Sequence, residues 1–228
     1  MHTYPVFLDL KNKTCLVVGA GQVGRRKILG LLERRPGQLN IVDPWVSQEL
    51  ASEFANHSNV AIHRRDFRPQ DLDNVFLVFA STSDQDLNAR ISELCAQKNI
   101  LCNIVDQPEY CSFIVPSMHT QGELTIAVST GGASPALARK IRLDLAEGFG
   151  PDYELWLKLL RRLRSLILSL EQPSQDNKPL FQALTDEAIL DAISRRDALQ
   201  LESLLEQKLP ANLHPSIKDL THDLFDPF

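Results

Sequence analysis

The stretch TCLVVGAGQVGRRKILGLLERR, residues 14 to 35, decides the fold. Its first five residues, TCLVV (14–18), are a short apolar and β-branched run that reads as a buried strand. GAGQVG (19–24) follows, and then Ile28, Leu29, Leu31 and Leu32 form an apolar stripe at helical spacing. Strand, G-x-G-x-x-G and helix in that order is the arrangement that binds a dinucleotide. Gly19 permits the tight turn, and Gly21 lets backbone N–H groups approach a pyrophosphate. Gly24 lets the helix pack closely on the strand, and Gln22 and Val23 fill the intervening positions. The positive end of the helix faces the phosphates. Taken without its context, the same six residues are a glycine-rich turn.

The next apolar run, LNIV (39–42), ends in Asp43, 19 residues after Gly24. An acid at that point accepts hydrogen bonds from the adenosine ribose and repels a 2′-phosphate, which favours NAD over NADP. Pro44 and Trp45 either flank the adenine or form a plain turn with a packed Trp. Arg25, Arg26 and Lys27 stand at the start of the helix, where positive charge opposes the macrodipole. They serve an anionic ligand or form a solvated basic face.

Further along, NVAIH (59–63), VFLVFA (75–80) and ILCNIV (100–105) read as strands. Ser83 with Asp86 forms the pattern of a capping box for a helix over 84–97. Strands alternating with helices predict a parallel, doubly wound sheet. The pattern changes near residue 113. FIVPS (113–117) and ELTIAVS (123–129) read as strands without an intervening helix, and Ser134 and Pro135 open a helix that runs to Glu147. From Asp152 the chain is helical, with Trp156, Leu159, Leu160, Leu163, Leu166, Ile167 and Leu170 on one face. EQPSQDNKP (171–179) reads as a polar linker, 185–194 and 197–208 as short helices, and DLFDPF (223–228) as a loose acidic tail.

ILCNIV delivers Asp106 to a strand tip, ahead of Gln107-Pro108. Ligands of open α/β sheets bind outside the carboxyl ends of the strands. A carboxylate there acts as a general base or orients a substrate N–H. The other reading is a turn-forming Asp that caps its own loop.

Composition bounds the rest. The 228 residues are 43% hydrophobic and 23% charged with a net charge of -5, so a duplex nucleic acid is a poor partner. Cys15, Cys95, Cys102 and Cys111 form no C-x-x-C pair, which argues against a zinc ribbon or redox motif. Cys15 and Cys102 lie in apolar runs as small buried thiols. No signal segment or apolar stretch of membrane length is present, and the expectation is a soluble, cytoplasmic protein with reduced thiols. The histidines at 2, 57, 63, 119, 214 and 222 make no compact metal pattern, so no metal site is assigned.

PVFLDLKNKTCLVVGAGQVGRRK (5–27), STSD (81–84), NIVDQPEYCSFIVPS (103–117) and LTIAVSTGGASPALARKIR (124–142) resemble the precorrin-2 dehydrogenases, standalone relatives of the N-terminal module of sirohaem synthase. The likeness covers roughly residues 4 to 147, and beyond residue 150 it is only general. It implies a Rossmann-type domain over 1–113, a small α+β dimerisation domain over 114–150 and a helical domain over 151–228. It implies NAD-dependent oxidation of precorrin-2 to sirohydrochlorin, with Asp106 catalytic and Ser81 and Thr82 beside the cofactor. Ser129 falls on the family's phosphorylatable serine. Precorrin-2 carries eight carboxylates. Ser129, Gly131 and Gly132 offer them backbone N–H groups, and Arg139 and Lys140 offer charge unless they form an exposed helix face. The resemblance further implies a homodimer, a separate methyltransferase upstream and a separate chelatase downstream. The alternatives are a bifunctional dehydrogenase and ferrochelatase, and more distantly an NAD-sensing regulatory domain.

Overall fold

The computed structural model describes residues 3–171 and 173–225. His2 therefore lies outside the described residues, as do Gln172 of the expected linker and the last three residues of the expected tail. The chain divides into two compact units, Met1–Val115 and Pro116–Phe228.

The first unit runs β1 (Thr14–Val18), α1 (Gln22–Leu32), β2 (Gln38–Val42), α2 (Gln48–Phe54), β3 (Val60–His63), β4 (Leu77–Ala80), α3 (Gln85–Gln97) and β5 (Leu101–Ile104). The five strands form one sheet in the order β3-β2-β1-β4-β5, and every pairing is parallel. Strand order reverses between β1 and β4, so the sheet has a switch point at the tip of β1.

The period of two explains why β1 reads as unbroken apolar sequence. Cys15 and Val17 pack with Ile28 and Leu31 of α1 and with Leu50 and Phe54 of α2. Leu16 and Val18 point the other way and pack with Ile91 and Cys95 of α3. A strand buried on both faces has no polar side to show. Helix α3 begins one residue later than the sequence pattern predicts: its cap is Asp84, which accepts from Leu87 N at 3.0 Å, and not Ser83. The cause is a clasp across the first turn, because buried Asn88 donates to Thr82 O at 3.0 Å and accepts from the Thr82 hydroxyl at 2.8 Å.

The second unit starts with the antiparallel hairpin β6 (Ser117–Gln121) and β7 (Leu124–Val128), which packs on α4 (Pro135–Gly148). Of FIVPS only Ser117 is therefore in a strand. The Phe113 ring is packed edge-on against Phe79, the Phe113 carbonyl accepts from the Asn103 side chain, and Pro116 has no N–H to give a ladder. Ser134 caps α4 as its sequence predicts, accepting from Leu137 N at 3.2 Å.

Among the described residues five α-helices follow: α5 (Asp152–Leu168), α6 (Ser174–Ala183), α7 (Glu187–Ser194), α8 (Ala198–Lys208) and α9 (His214–Phe225). Leu159, Leu163 and Ile167 of α5 are fully buried, with Leu184, Ile189, Ile193, Leu201, Leu205 and Ile217 around them. Two readings are corrected here. Most of the expected linker 171–179 is α6, because Leu180 and Phe181 gain burial against this core despite the polar composition and the internal Pro179. Asp223–Phe225 of the expected loose tail close α9, where Leu224 is buried. No described helix is long and apolar enough to cross a membrane.

The core of the first unit carries a pH dependence. Burial pushes the Cys15 thiol from 9.0 up to about 11. The folded state holds this proton more tightly than the unfolded chain, so the contribution is complete below pH 9 and is lost as pH rises through 11. We expect an extra stability loss on the order of 2–3 kcal/mol between pH 8 and 11 that Cys15→Ala does not show. Urea midpoints of the two proteins under reducing conditions check it. Parallel pH curves would contradict it.

Candidate functional site

The carboxyl ends of β1, β2, β4 and β5 bring four segments to one edge of the sheet. The glycine loop is the tightest of them. Gly19 has φ +89, a conformation that side chains rarely adopt, and a Cβ there would sit 2.8 Å from the Ser81 carbonyl. A Cβ on Gly24 would come within 1.9 Å of Gly19 O. Gly21 is different: nothing lies within 4 Å of where its Cβ would be. No side chain caps the start of α1 and no acid occupies its first turn. The amides at Gly21, Gln22 and Val23 thus stand at the positive end of a helix with no side-chain cap, beside the open space at Gly21, which fits a dinucleotide pyrophosphate.

Asp43 stands beside this loop and is already at work in it. One carboxylate oxygen accepts from Ala20 N at 2.6 Å and the other from Trp45 N at 2.6 Å. Sequence reasoning missed this brace. A carboxylate offers about four acceptor positions, so ribose hydroxyls still find lone pairs. Trp45 is 88% exposed, which overturns the reading of a packed Trp in a plain turn. Pro44 is exposed next to it. The Ser81 hydroxyl donates to Gly19 O at 2.8 Å, and the Thr82 hydroxyl donates to Asn88. Both side chains therefore hold the β4 tip against the glycine loop and α3.

Asp106 follows β5 with φ +61, in the left-handed region that Asp tolerates better than most residues. Val105 N donates to Ala80 O at 3.0 Å, which keeps the sheet ladder going to the residue before it. The Asp106 side chain is exposed and accepts no hydrogen bond from the described residues, so it does not cap its own loop. What fixes the loop is the chain coming back. Ser112 N donates to Cys102 O at 2.9 Å, and Cys102 N donates to the Ser112 hydroxyl at 2.8 Å. The Asn103 amide donates to Phe113 O at 3.0 Å. Cys111 Sγ accepts from Ile104 N at 3.2 Å and lies 3.3 Å from Gln107 O. Burial pushes this thiol above its ordinary value, so it keeps the proton it donates to the loop. Sequence reasoning assigns Asn103, Cys111 and Ser112 no role in holding this loop. Their side chains act through pairings that a linear pattern does not show.

Of the basic residues on α1, Arg25 is committed to Glu53 through two hydrogen bonds, at 2.6 and 2.9 Å. Arg26 is exposed and Lys27 is half-buried. The remaining candidates lie on the second unit. Gly131 and Gly132 have φ +61 and +89, the Ser129 hydroxyl accepts from Gly131 N at 3.1 Å, and Arg139 and Lys140 are exposed on α4. His119 is held by Phe149 O at 2.7 Å. Among the described residues no group of three or more His, Cys, Asp or Glu is placed to hold a metal ion.

Comparison with known proteins agrees with this geometry. Residues 6–117 match an NAD(P)-binding family model, and residues 121–147 match the model of the sirohaem biosynthesis protein central region. The chain is 45% identical to siroheme synthase of Thioalkalivibrio sulfidiphilus over 151 residues, which is 66% of this chain and 30% of that protein. It is 29% identical to siroheme synthase of Pseudoalteromonas atlantica over 218 residues, 96% of this chain and 47% of that protein. The chain thus spans less than half the length of these relatives. The solved structure of SirC, precorrin-2 dehydrogenase, superposes with a TM-score of 0.73 at 29% identity, covering 90% of this chain and 98% of that one.

Proposed function

We propose that this chain, precorrin-2 dehydrogenase-like in sequence and fold, oxidises precorrin-2 to sirohydrochlorin with NAD. The observation that carries the reading is the uncommitted Asp106 carboxylate on the same sheet edge as an uncapped glycine loop. The amides at Gly21, Gln22 and Val23 hold the pyrophosphate, and Asp43 accepts from the ribose. When bound, NAD⁺ supplies the hydride acceptor. The reaction removes one hydride and one proton from the macrocycle. Asp106, exposed and with its lone pairs free, takes the proton and passes it to solvent.

Ser129, Gly131, Gly132, Arg139 and Lys140 are proposed to receive substrate carboxylates, a reading supported by the exposed, positive-φ glycines and the exposed cations. A homodimer is supported by apolar side chains exposed on the second unit, Met118, Leu137 and Leu143. Light scattering at twice the chain mass is the expected result. A cytoplasmic setting is supported by four free thiols.

The test is anaerobic turnover of enzymatically made precorrin-2 with NAD⁺ or NADP⁺, followed by the visible spectrum of sirohydrochlorin. We expect turnover with NAD⁺ and a rate about tenfold lower with NADP⁺, because Asp43 repels the 2′-phosphate. Tight NAD⁺ binding with no turnover would leave a nucleotide sensor instead.

The loop clasp gives a second expectation. Cys111→Ala removes the sulfur that holds Ile104 N and Gln107 O, and lets Asp106 wander. Turnover is expected to fall about fivefold, with Cys111→Ser between it and the parent protein. Equal rates in all three proteins would show that the clasp does not position Asp106.

A further inference from the structure

The geometry points to Lys27 as the residue of the first unit that binds a carboxylate of the tetrapyrrole, next to Asp106. This rests on the proposed dehydrogenase reading and names a contact within it.

Lys27 occupies the second turn of α1, one residue before buried Ile28. Its ammonium lies 5.0 Å from the centroid of the Phe79 ring. Phe79 is only 6% exposed, and its ring packs edge-on against Phe113 at 5.6 Å. The strand register pairs Phe79 with Asn103, three residues before Asp106. Paired residues on neighbouring strands point to the same face. Lys27 therefore reaches across the α1 face of the sheet toward the tips of β4 and β5. The Phe79 ring beneath it stands on β4, between β1, whose tip carries the glycine loop, and β5, whose tip carries Asp106.

What sets Lys27 apart is its lack of a counter-ion. Arg25, two residues earlier, is bound to Glu53. Lys27 makes no ion pair within 4.0 Å among the described residues, although it is half-buried. Burial pushes its ammonium below the ordinary lysine value and Arg26 adds to this, while the Asp106 carboxylate pulls it back. The Phe79 ring offsets part of the lost hydration. A partly desolvated cation without a partner is costly, and an anionic ligand removes that cost. Asp106 does not close on the lysine, since the two form no ion pair within 4.0 Å. The free charge is therefore available to fix one carboxylate of the macrocycle while Asp106 addresses its ring. A phosphate of the dinucleotide is the other anion within reach, so the experiment separates the two sources.

The probe is a stable, non-reacting octacarboxylate porphyrin, titrated by its visible spectrum against the full chain. Lys27→Met keeps an apolar stem on Phe79 and removes the charge. Lys27→Arg restores charge. We expect Lys27→Met to bind the porphyrin about tenfold more weakly, and the KM for precorrin-2 to rise in proportion, with kcat within threefold. NAD⁺ affinity should stay within a factor of two, and Lys27→Arg should recover most of the loss. Unchanged porphyrin affinity in Lys27→Met overturns the inference. So does a loss that falls on NAD⁺ instead, which would assign the lysine to the cofactor phosphate. Porphyrin binding that depends on Lys27, in a protein that does not oxidise precorrin-2, would uphold the carboxylate site and refute the dehydrogenase reading. Normal precorrin-2 turnover with an indifferent Lys27 would do the reverse.

Discussion

Asp106→Asn is expected to lower kcat for precorrin-2 oxidation about a thousandfold while NAD⁺ affinity stays within a factor of two. The magnitude is that of losing a positioned general base, which contributes roughly 10²–10⁴. The choice of Asn matters. Asp106 sits at φ +61, where Asn is tolerated and a Cβ-bearing residue without a short polar group is strained by about 1–2 kcal/mol. Asp106→Ala would therefore mix lost chemistry with a distorted loop. The Asp106 carboxylate accepts no hydrogen bond from the described residues, so its neutral replacement breaks no contact in the fold. Anaerobic kinetics with a parallel NAD⁺ titration check it. A variant that turns over at the parent rate would remove Asp106 from the mechanism.

The second large effect is structural. Gly24→Ala places a methyl group 1.9 Å from Gly19 O and 2.9 Å from both Gly19 C and Ser81 Oγ. Two of these three atoms are backbone, held by the Ser81 hydroxyl on Gly19 O and by Gly19 N on Val42 O. Neither can rotate away. We expect destabilisation of about 3 kcal/mol or more, with loss of NAD⁺ binding, since overpacking at a site that cannot yield lies at the costly end of its range. Gly21→Ala is the contrast. Its methyl meets nothing within 4 Å, so the fold should hold, and NAD⁺ affinity should fall about tenfold because the backbone no longer approaches the pyrophosphate. Circular-dichroism melting and NAD⁺ titration of both variants separate the roles. Equal stability of the two would contradict the packing account.

These residues also show where the sequence is readable. TCLVV, the three glycines and Asp43 obey local rules: a strand covered on both faces, a turn that needs positive φ, an acid one strand further on. Their meaning survives without the rest of the molecule. Asp106 is readable as a strand-tip carboxylate, but whether it caps its loop depends on who donates to it, and that is a three-dimensional fact. The Ser83 cap failed because Asn88 and Thr82 fix the helix start through a pairing across its first turn. The expected linker failed because Leu180 and Phe181 find a core built by α5 and by helices that come later in the chain. The clasp on the Asp106 loop and the lack of a counter-ion at Lys27 could not be read in advance. The clasp depends on side chains that meet across a returning loop, and the lysine on Phe79, about fifty residues away.

The most direct test of the central claim is a single turnover. The protein, NAD⁺ and a limiting amount of precorrin-2 are mixed without oxygen, and NADH and sirohydrochlorin are read together. The account predicts that the two rise at the same rate and in equal amounts, and that Asp106→Asn slows both alike. Sirohydrochlorin appearing without its equivalent of NADH, or NADH failing to appear at all, would contradict it.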